Sequence, residues 1–358
     1  MADIKVLKNV RIDGKITDLV AENGKIKSIG KCDLAGEDCG GYDLYPGLFD
    51  THSHGCVGYD TMEIAEGGLL EMAKFEFDHG ITSWLPTTMT MGIDTIREVV
   101  NRELPRAEGC AKIEGFHMEG PYIADKYKGA QNGAFIKSPT MEEFSTLKNI
   151  KKLTLAPELD GALDFIRECV TMTDTVISLG HTATDYDTAI AAIEAGATCL
   201  THTFNAMPPL HHRDPGPIGA AVEKGICAEV ICDGLHVSRA AILTLYRALG
   251  PDRMILISDS LRATGLGDGE FSFGGQKIIV KDGVARIEAG NLAGSTSTLF
   301  DCVKKAIEFG IPKADALRMA SATPARLLGM KKGEMRVGYD AEFILVDSEM
   351  NLLRTIIL

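Results

Sequence analysis

Between residues 47 and 330 the sequence alternates short apolar runs with segments of helical periodicity, and this alternation constrains the fold more than any other feature. Leu48-Phe49-Asp50-Thr51-His52-Ser53-His54-Gly55 follows the break at Pro46-Gly47 and reads as a strand. Glu66–His79 reads as a helix stopping at Gly80, then Ser83–Thr87 as a strand and Ile93–Glu103 as a helix. Ile113–Glu119, Leu153–Pro157, Thr175–His181, Thr198–His202, Cys227–Cys232 and Met254–Asp259 supply six further strands. Helices Tyr186–Ala195 and Arg239–Leu249 fall among them. Eight such units in series predict an α/β fold, a (β/α)8 TIM-type barrel. Phe271–Glu288 reads as an inserted hairpin pair, with Leu299–Glu308 and Lys313–Met319 as closing helices.

In barrels of this kind the chemistry sits at the C-terminal ends of the strands, and the ionisable residues recur there. Side chains at i and i+2 of a strand share a face, so His52 and His54 project together at the tip of the first strand. Two imidazoles on one face form half a metal site. The third strand ends with Glu119, the fifth with His181 and the sixth with His202. His236 follows the seventh, and Asp259 ends the eighth. A lone histidine is more often a hydrogen-bonded structural residue. Histidines and carboxylates converging on one barrel mouth would desolvate and repel one another without a cation to bind. We therefore expect a divalent metal, one or two ions per chain; the His and carboxylate set suits Zn, Fe or Mn alike.

The two ends have a different texture. Ile4–Leu7, Lys15–Val20 and Lys25–Ile29 read as short strands, with Asn23-Gly24 as a hairpin turn, and Ala341–Val346 is strand-like after the Gly338-Tyr339-Asp340 turn. Short hairpins bury little alone. Residues 1–46 and 331–358 are therefore expected to meet as one small β-sandwich domain around the 47–330 barrel. A net charge of −13 argues against nucleic acid or an anionic membrane as partner. No apolar run approaches the roughly 18 residues of a membrane span, and the first residues lack signal-peptide architecture. Nine scattered cysteines without a C-x-x-C pair suit free thiols in a reducing cytoplasm.

Several blocks carry a resemblance. PGLFDTHSHG (46–55), HMEGPY (117–122), KGAQN (128–132), SLGHT (178–182), THTFNAMPPLHHRDPG (201–216), DGLHV (233–237), SDSLRATGL (258–266) and LAGSTSTL (292–299) stand in family order. On these the chain resembles the amidohydrolase superfamily and, within it, the N-acetylglucosamine-6-phosphate deacetylase family. HxEGPY and THxFNAMxP are the specific motifs; HxH and the barrel mark only the superfamily. The resemblance implies that Glu119, His181 and His202 hold one divalent metal and that His52 and His54 hold a second, bridged by Glu119. Some members lack the first histidine pair and use one ion. Asp259 would be the general base and acid. The Asn205 and Ala206 backbone N–H groups would grip the sugar phosphate, helped by His236 and by Arg213, the latter often reaching in from the other subunit of a homodimer. At the position where members carry His or Gln, this chain has Gln131, which can donate an N–H to the amide carbonyl but cannot be a cation. The family also usually adds a short strand near Ile357-Leu358, so the small domain is expected to be trimmed or its last strand replaced.

The implied substrate is a phosphorylated amino sugar, N-acetyl-D-glucosamine 6-phosphate, deacetylated in cytoplasmic amino-sugar catabolism or cell-wall sugar recycling. N-acetylgalactosamine 6-phosphate is the alternative, since one hydroxyl separates the two. A non-catalytic scaffold would have lost ligands that this chain keeps, and a cyclic-amide hydrolase would more often show a bridging lysine where strand three offers Glu119. Lesser candidates are given structural readings: His117 behind the ligands, His79 as a helix C-terminal partner, Glu158 as a loop carboxylate, and His211 and His212 on the rim beside Arg213. Gly294-Ser295-Thr296 is either a substrate-lining turn or a helix cap. Cys56, close to the ligands, is left out of the metal set.

Overall fold

The structure is a computed structural model describing residues 2–63, 67–288 and 290–358. Its centre is parallel sheet. Leu48–Ser53 pairs in parallel with Ile81–Pro86, which pairs with Lys112–Ile113. A six-stranded parallel sheet follows in strict chain order, Phe116–Glu119, Ile150–Leu155, Val176–Leu179, Cys199–Leu200, Cys227–Ile231 and Met254–Ile257. Two parallel bridges, Thr87 with His117 and Ser53 with Ser260, tie the two sheets together near the C-terminal ends of their strands. Parallel strands covered by helices read as continuous apolar runs, and Met254-Ile255-Leu256-Ile257 is buried throughout. The expected third strand is two pieces, because Gly115 at φ 144° interrupts it between Ile113 and Phe116.

The helices begin where the sequence supplies a cap. Asp185 accepts from Thr188 N at 2.8 Å before Tyr186–Ala195, and Thr298 with Asp301 forms a capping box on Leu299–Glu308. The first helix spans Gly68–Asp78; Glu66, where it was expected to start, lies outside the described residues. Ala162–Met172, Gly216–Lys224 and Ala322–Leu327 are helices that the sequence reading did not assign. The expected hairpin pair is one three-stranded antiparallel sheet, Gly269–Phe273, Gln276–Lys281 and Val284–Ile287.

The chain ends do meet. Glu342–Val346 pairs antiparallel with Asp43–Pro46, and Leu352–Ile357 adds beside it in a seven-stranded sheet with Ile4–Ile12, Lys15–Glu22 and Lys25–Ile29. Asn23 and Gly24 both take positive φ (51° and 75°), the requirement of a tight two-residue hairpin turn. Leu7, Leu19, Ile26, Leu44, Phe343 and Leu345 form the apolar core of this sheet. Lys332 joins it to the parallel strands: its buried ammonium donates to Ser83 Oγ at 2.7 Å and to Glu342 Oε1 at 3.2 Å, and pairs with Glu114. Burial disfavours this charge, but Glu342 and Glu114 more than offset that and raise the Lys332 pKa. Breaking a buried ion pair from one side costs about 3 kcal/mol or more. Lys332→Ala should lower unfolding stability by about that amount in a urea titration, and an unchanged midpoint would show that this junction contributes nothing.

Candidate metal and substrate site

Six acidic and imidazole side chains meet where the parallel strands end, in two groups of three: His52, His54 and Asp259, and Glu119, His181 and His202. All six are buried. The backbone turns sharply to present them. His181, His202 and Asp259 have φ of 47°, 31° and 48°, a left-handed region costing a non-glycine residue of the order of 1–3 kcal/mol. The surrounding backbone holds the turns: Asp259 N donates to His52 O at 2.8 Å, Ser295 N to Asp259 O at 2.7 Å and His54 N to Ser260 O at 2.8 Å. After Glu119, Gly120 (φ 70°) passes so close to Thr90 that a Cβ there would lie 2.0 Å from its hydroxyl.

Glu119 spans both groups. Its Oε1 lies 3.1 Å from His202 Nε2, 3.3 Å from His181 Nε2 and 3.4 Å from His52 Nε2, and its Oε2 lies 3.2 Å from His54 Nε2. Asp259 Oδ1 is 3.5 Å from His52 Nε2 and 3.4 Å from His54 Nε2. Imidazole nitrogens also face one another, His52 Nε2 to His54 Nε2 at 3.3 Å and His202 Nε2 to His181 Nε2 at 3.1 Å. His181 Nδ1 lies 2.8 Å from the Tyr127 carbonyl, so that nitrogen carries the proton and Nε2 presents its lone pair. Imidazole nitrogens and carboxylate oxygens converging in this way are the donor set of a divalent cation. The titration behaviour has the same cause. Burial disfavours the imidazolium at His52, yet Asp259 and Glu119 push its pKa up to about 9. At His54 burial is likewise offset by Asp259 and Glu119, which push the pKa up to about 10. Burial raises Glu119, but His52 and His181 more than offset it and hold the carboxyl well below its ordinary value. The pocket therefore favours positive charge between these groups.

A cavity of about 520 Å³ opens over them. His54, Glu119, Gln131, His181, His202, Asn205, Ala206, His236 and Asp259 line it, while His52 is fully buried and does not. Arg213 is exposed and absent from the lining, with Nη1 2.8 Å from His212 Nε2. Asn205 already donates its backbone N–H and its side-chain amide to the His202 carbonyl, at 3.0 and 3.3 Å, so a backbone grip there requires giving up a bond. Gln131 accepts from Thr90 N at 2.6 Å and donates to Glu119 Oε2 at 2.6 Å. Both ends of its amide are engaged with the protein. His117 sits behind this cluster, with Nε2 2.7 Å from Thr154 Oγ1 and its ring packed edge-on against His52. Glu158 accepts from Thr182 Oγ1, and His79 Nδ1 bonds the Phe75 carbonyl at 2.7 Å. Cys56 lies near Met72 O and joins neither group.

Lys126, Tyr127, Phe273 and Arg286 also line the cavity, and the sequence reading missed them. Lys126 and Tyr127 lie in the loop after HMEGPY, and Phe273 and Arg286 on the inserted strands, where nothing in the local pattern points inward. Phe273 packs edge-on against the His54 ring, with centroids 5.2 Å apart.

The sequence profile described as the Amidohydrolase family matches residues 44–357. The chain is 37% identical to an N-acetylglucosamine-6-phosphate deacetylase of Vibrio furnissii, an alignment covering 94% of this chain and 88% of that one. It is 35% identical to an N-acetylgalactosamine-6-phosphate deacetylase of Escherichia coli, covering 86% and 85%. A mutant N-acetyl-D-glucosamine-6-phosphate deacetylase from Mycobacterium smegmatis, solved in complex with N-acetyl-D-glucosamine 6-phosphate, superposes with a TM-score of 0.90 at 30% identity, covering 99% and 97%. The chain belongs to the amidohydrolase family. Within that family it is similar, over nearly its whole length, to deacetylases of N-acetylated hexosamine 6-phosphates.

His236 is held by Asp233, whose Oδ2 lies 2.6 Å from Nδ1 and whose Oδ1 accepts from His236 N. Burial lowers the imidazole pKa, and Asp233 more than offsets this, leaving it raised. Folding then binds that proton more tightly, so the contribution to stability is complete below about pH 6.5, the ordinary histidine value. It is lost as the pH rises through the raised value. Asp233→Asn should bring the His236 titration, followed by NMR, down to or below the ordinary value; an unmoved titration would mean another group sets it.

Proposed function

We infer that this chain hydrolyses the acetamide of N-acetyl-D-glucosamine 6-phosphate to D-glucosamine 6-phosphate and acetate. The observation that carries the reading is Glu119 spanning two histidine groups at the floor of a cavity with Asp259 beside them, in a chain similar to deacetylases of this substrate over nearly its full length. The parallel strand order and the two bridging pairs support closure of residues 47–330 as a (β/α)8 barrel. The pairing of both chain ends supports residues 1–46 and 331–358 as one small β-sandwich domain, with the Lys25–Asp340 bridge drawing its outer strand back toward Glu342.

Glu119, His181 and His202 would hold one divalent metal and His52 and His54 a second, each Zn, Fe or Mn. Such an ion, when bound, acidifies water and polarises a carbonyl. The remaining chemistry belongs to the chain. An amide nitrogen cannot leave as a free anion, so a proton must reach it as the C–N bond breaks. Asp259 is the group in position to take a proton from the attacking water and deliver it to the sugar nitrogen. Its carboxylate lies 3.5 Å from His52 Nε2 and 3.4 Å from His54 Nε2, and as a carboxylate it starts as the base. The phosphate is remote from the bond broken, and its binding serves orientation. His236 and the Asn205–Ala206 turn lie along the cavity as contacts for the sugar phosphate, and Gln131 steadies Glu119. Arg213, exposed and off its own cavity, suits a role across a homodimer. Among the described residues no helix is long and apolar enough to cross a membrane; the place of work proposed here is the cytoplasm and the partner a small phosphorylated sugar.

Acetate release from N-acetylglucosamine 6-phosphate, with the unphosphorylated sugar and the galactosamine epimer as controls, tests the substrate. Turnover of the phosphorylated glucosamine derivative alone supports the reading; preference for the galactosamine epimer replaces the substrate and keeps the chemistry. Asp259→Asn should lower kcat by about 10²–10⁴ with little effect on KM. Arg213→Ala should chiefly raise KM for the phosphorylated sugar, and an unchanged KM would remove Arg213 from the phosphate site.

A further inference from the structure

Behind the first histidine pair lies a charged layer that the reaction above does not use. Lys152, on Ile150–Leu155, and Glu229, on Cys227–Ile231, are both fully buried and form an ion pair. Glu229 Oε1 also accepts from Thr51 Oγ1 at 2.9 Å, and Lys152 Nζ donates to the Thr51 carbonyl at 3.1 Å. The second carboxylate oxygen, Oε2, lies 3.4 Å from His52 Nδ1. No such carboxylate stands behind its neighbour: among the described residues His54 Nδ1 has no hydrogen-bond partner, and neither has His202 Nδ1.

A buried ion pair is not an efficient way to fill a core, since apolar side chains of the same volume are often as stable. The distinguishing property of this pair is its position at the rear nitrogen of a predicted ligand. A carboxylate there favours the proton on Nδ1, so that with a cation in place it is Nε2, facing His54, Glu119 and Asp259, that offers the lone pair. Partners of this kind fix the tautomer and ring orientation of metal-binding histidines. Lys152 in turn holds the carboxylate in place through their ion pair, with Thr51 Oγ1 as a second anchor.

We propose that Glu229, anchored by Lys152, is a positioning residue for His52 that sets the affinity of the His52–His54 position for its metal ion. The proposal rests on the reading of His52 and His54 as metal ligands. Because removing one charge would strand the other, the test replaces both. Metal-free wild type, Lys152→Met/Glu229→Leu and Lys152→Met/Glu229→Gln are titrated with Zn(II) by calorimetry, with bound ions counted by elemental analysis. Wild type should take up two ions. In the leucine variant one of the two ions should bind about 10–100-fold less tightly while the other is nearly unaffected. The glutamine variant, whose amide oxygen still accepts from Nδ1–H, should recover most of the loss. On Zn(II)-loaded wild type, ¹⁵N shifts should show His52 protonated at Nδ1, a readout that survives if the variants fail to fold. Unchanged binding of both ions, equal weakening of both ions, or a proton on Nε2 would each overturn the proposal. A wild-type protein that takes up only one ion would instead overturn the two-ion reading, and the proposal with it.

Discussion

The buried carboxylate of Glu119 is the interaction on which the rest of the structure depends. An isolated carboxylate in a protein interior would protonate rather than stay charged. Here four imidazole Nε2 atoms lie within 3.4 Å of its two oxygens. The arrangement is compensated only if positive charge sits among them. Every element that brings an imidazole to this point is thereby constrained: the ends of the first, fifth and sixth parallel strands must converge on the end of the third. A parallel sheet whose strands all point one way is a fold that can do this.

Around that centre the protein arranges support in layers. Tyr127 O, Gln131 and Glu229 face the rear or flank of His181, Glu119 and His52. Below them Lys152 and Thr51 fix Glu229. The left-handed φ values at His181, His202 and Asp259 persist because backbone bonds and packing hold those turns. Strain of this kind is stored where side chains must leave a strand at an angle that regular geometry does not provide.

The cavity differs in character from its floor. The floor is rigid parallel sheet, whereas the walls come from loops and from the inserted strands carrying Phe273 and Arg286. Such a division lets chemistry and substrate choice vary separately. The relatives include deacetylases of both glucosamine and galactosamine derivatives.

The strand ends that carry the histidines and carboxylates were legible in the sequence because strand periodicity is local: two residues apart means one face, and Gly55 marks the end of a run. Helices such as Tyr186–Ala195 and Arg239–Leu249 were legible in the sequence, and the structure caps them with Asp185 and Ser238. Gly216–Lys224 was not, because Gly216, Pro217 and Gly219 are weak helix formers that hold a helix only when Ile218, Ala220 and Ala221 are buried against the sheet. Lys152 and Glu229 left a signal, a charge inside each apolar strand, but their pairing spans 77 positions and no local rule joins them. The sequence by itself therefore determined which residues stand at the ends of the strands and what chemistry their side chains can perform. Only the tertiary structure decided which nitrogen of each histidine faces inward, which carboxylate is compensated, and that Arg213 lies off its own cavity. Those outcomes depend on distances between segments far apart in the chain, where electrostatic energy changes steeply with a few tenths of an ångström and periodicity carries no information.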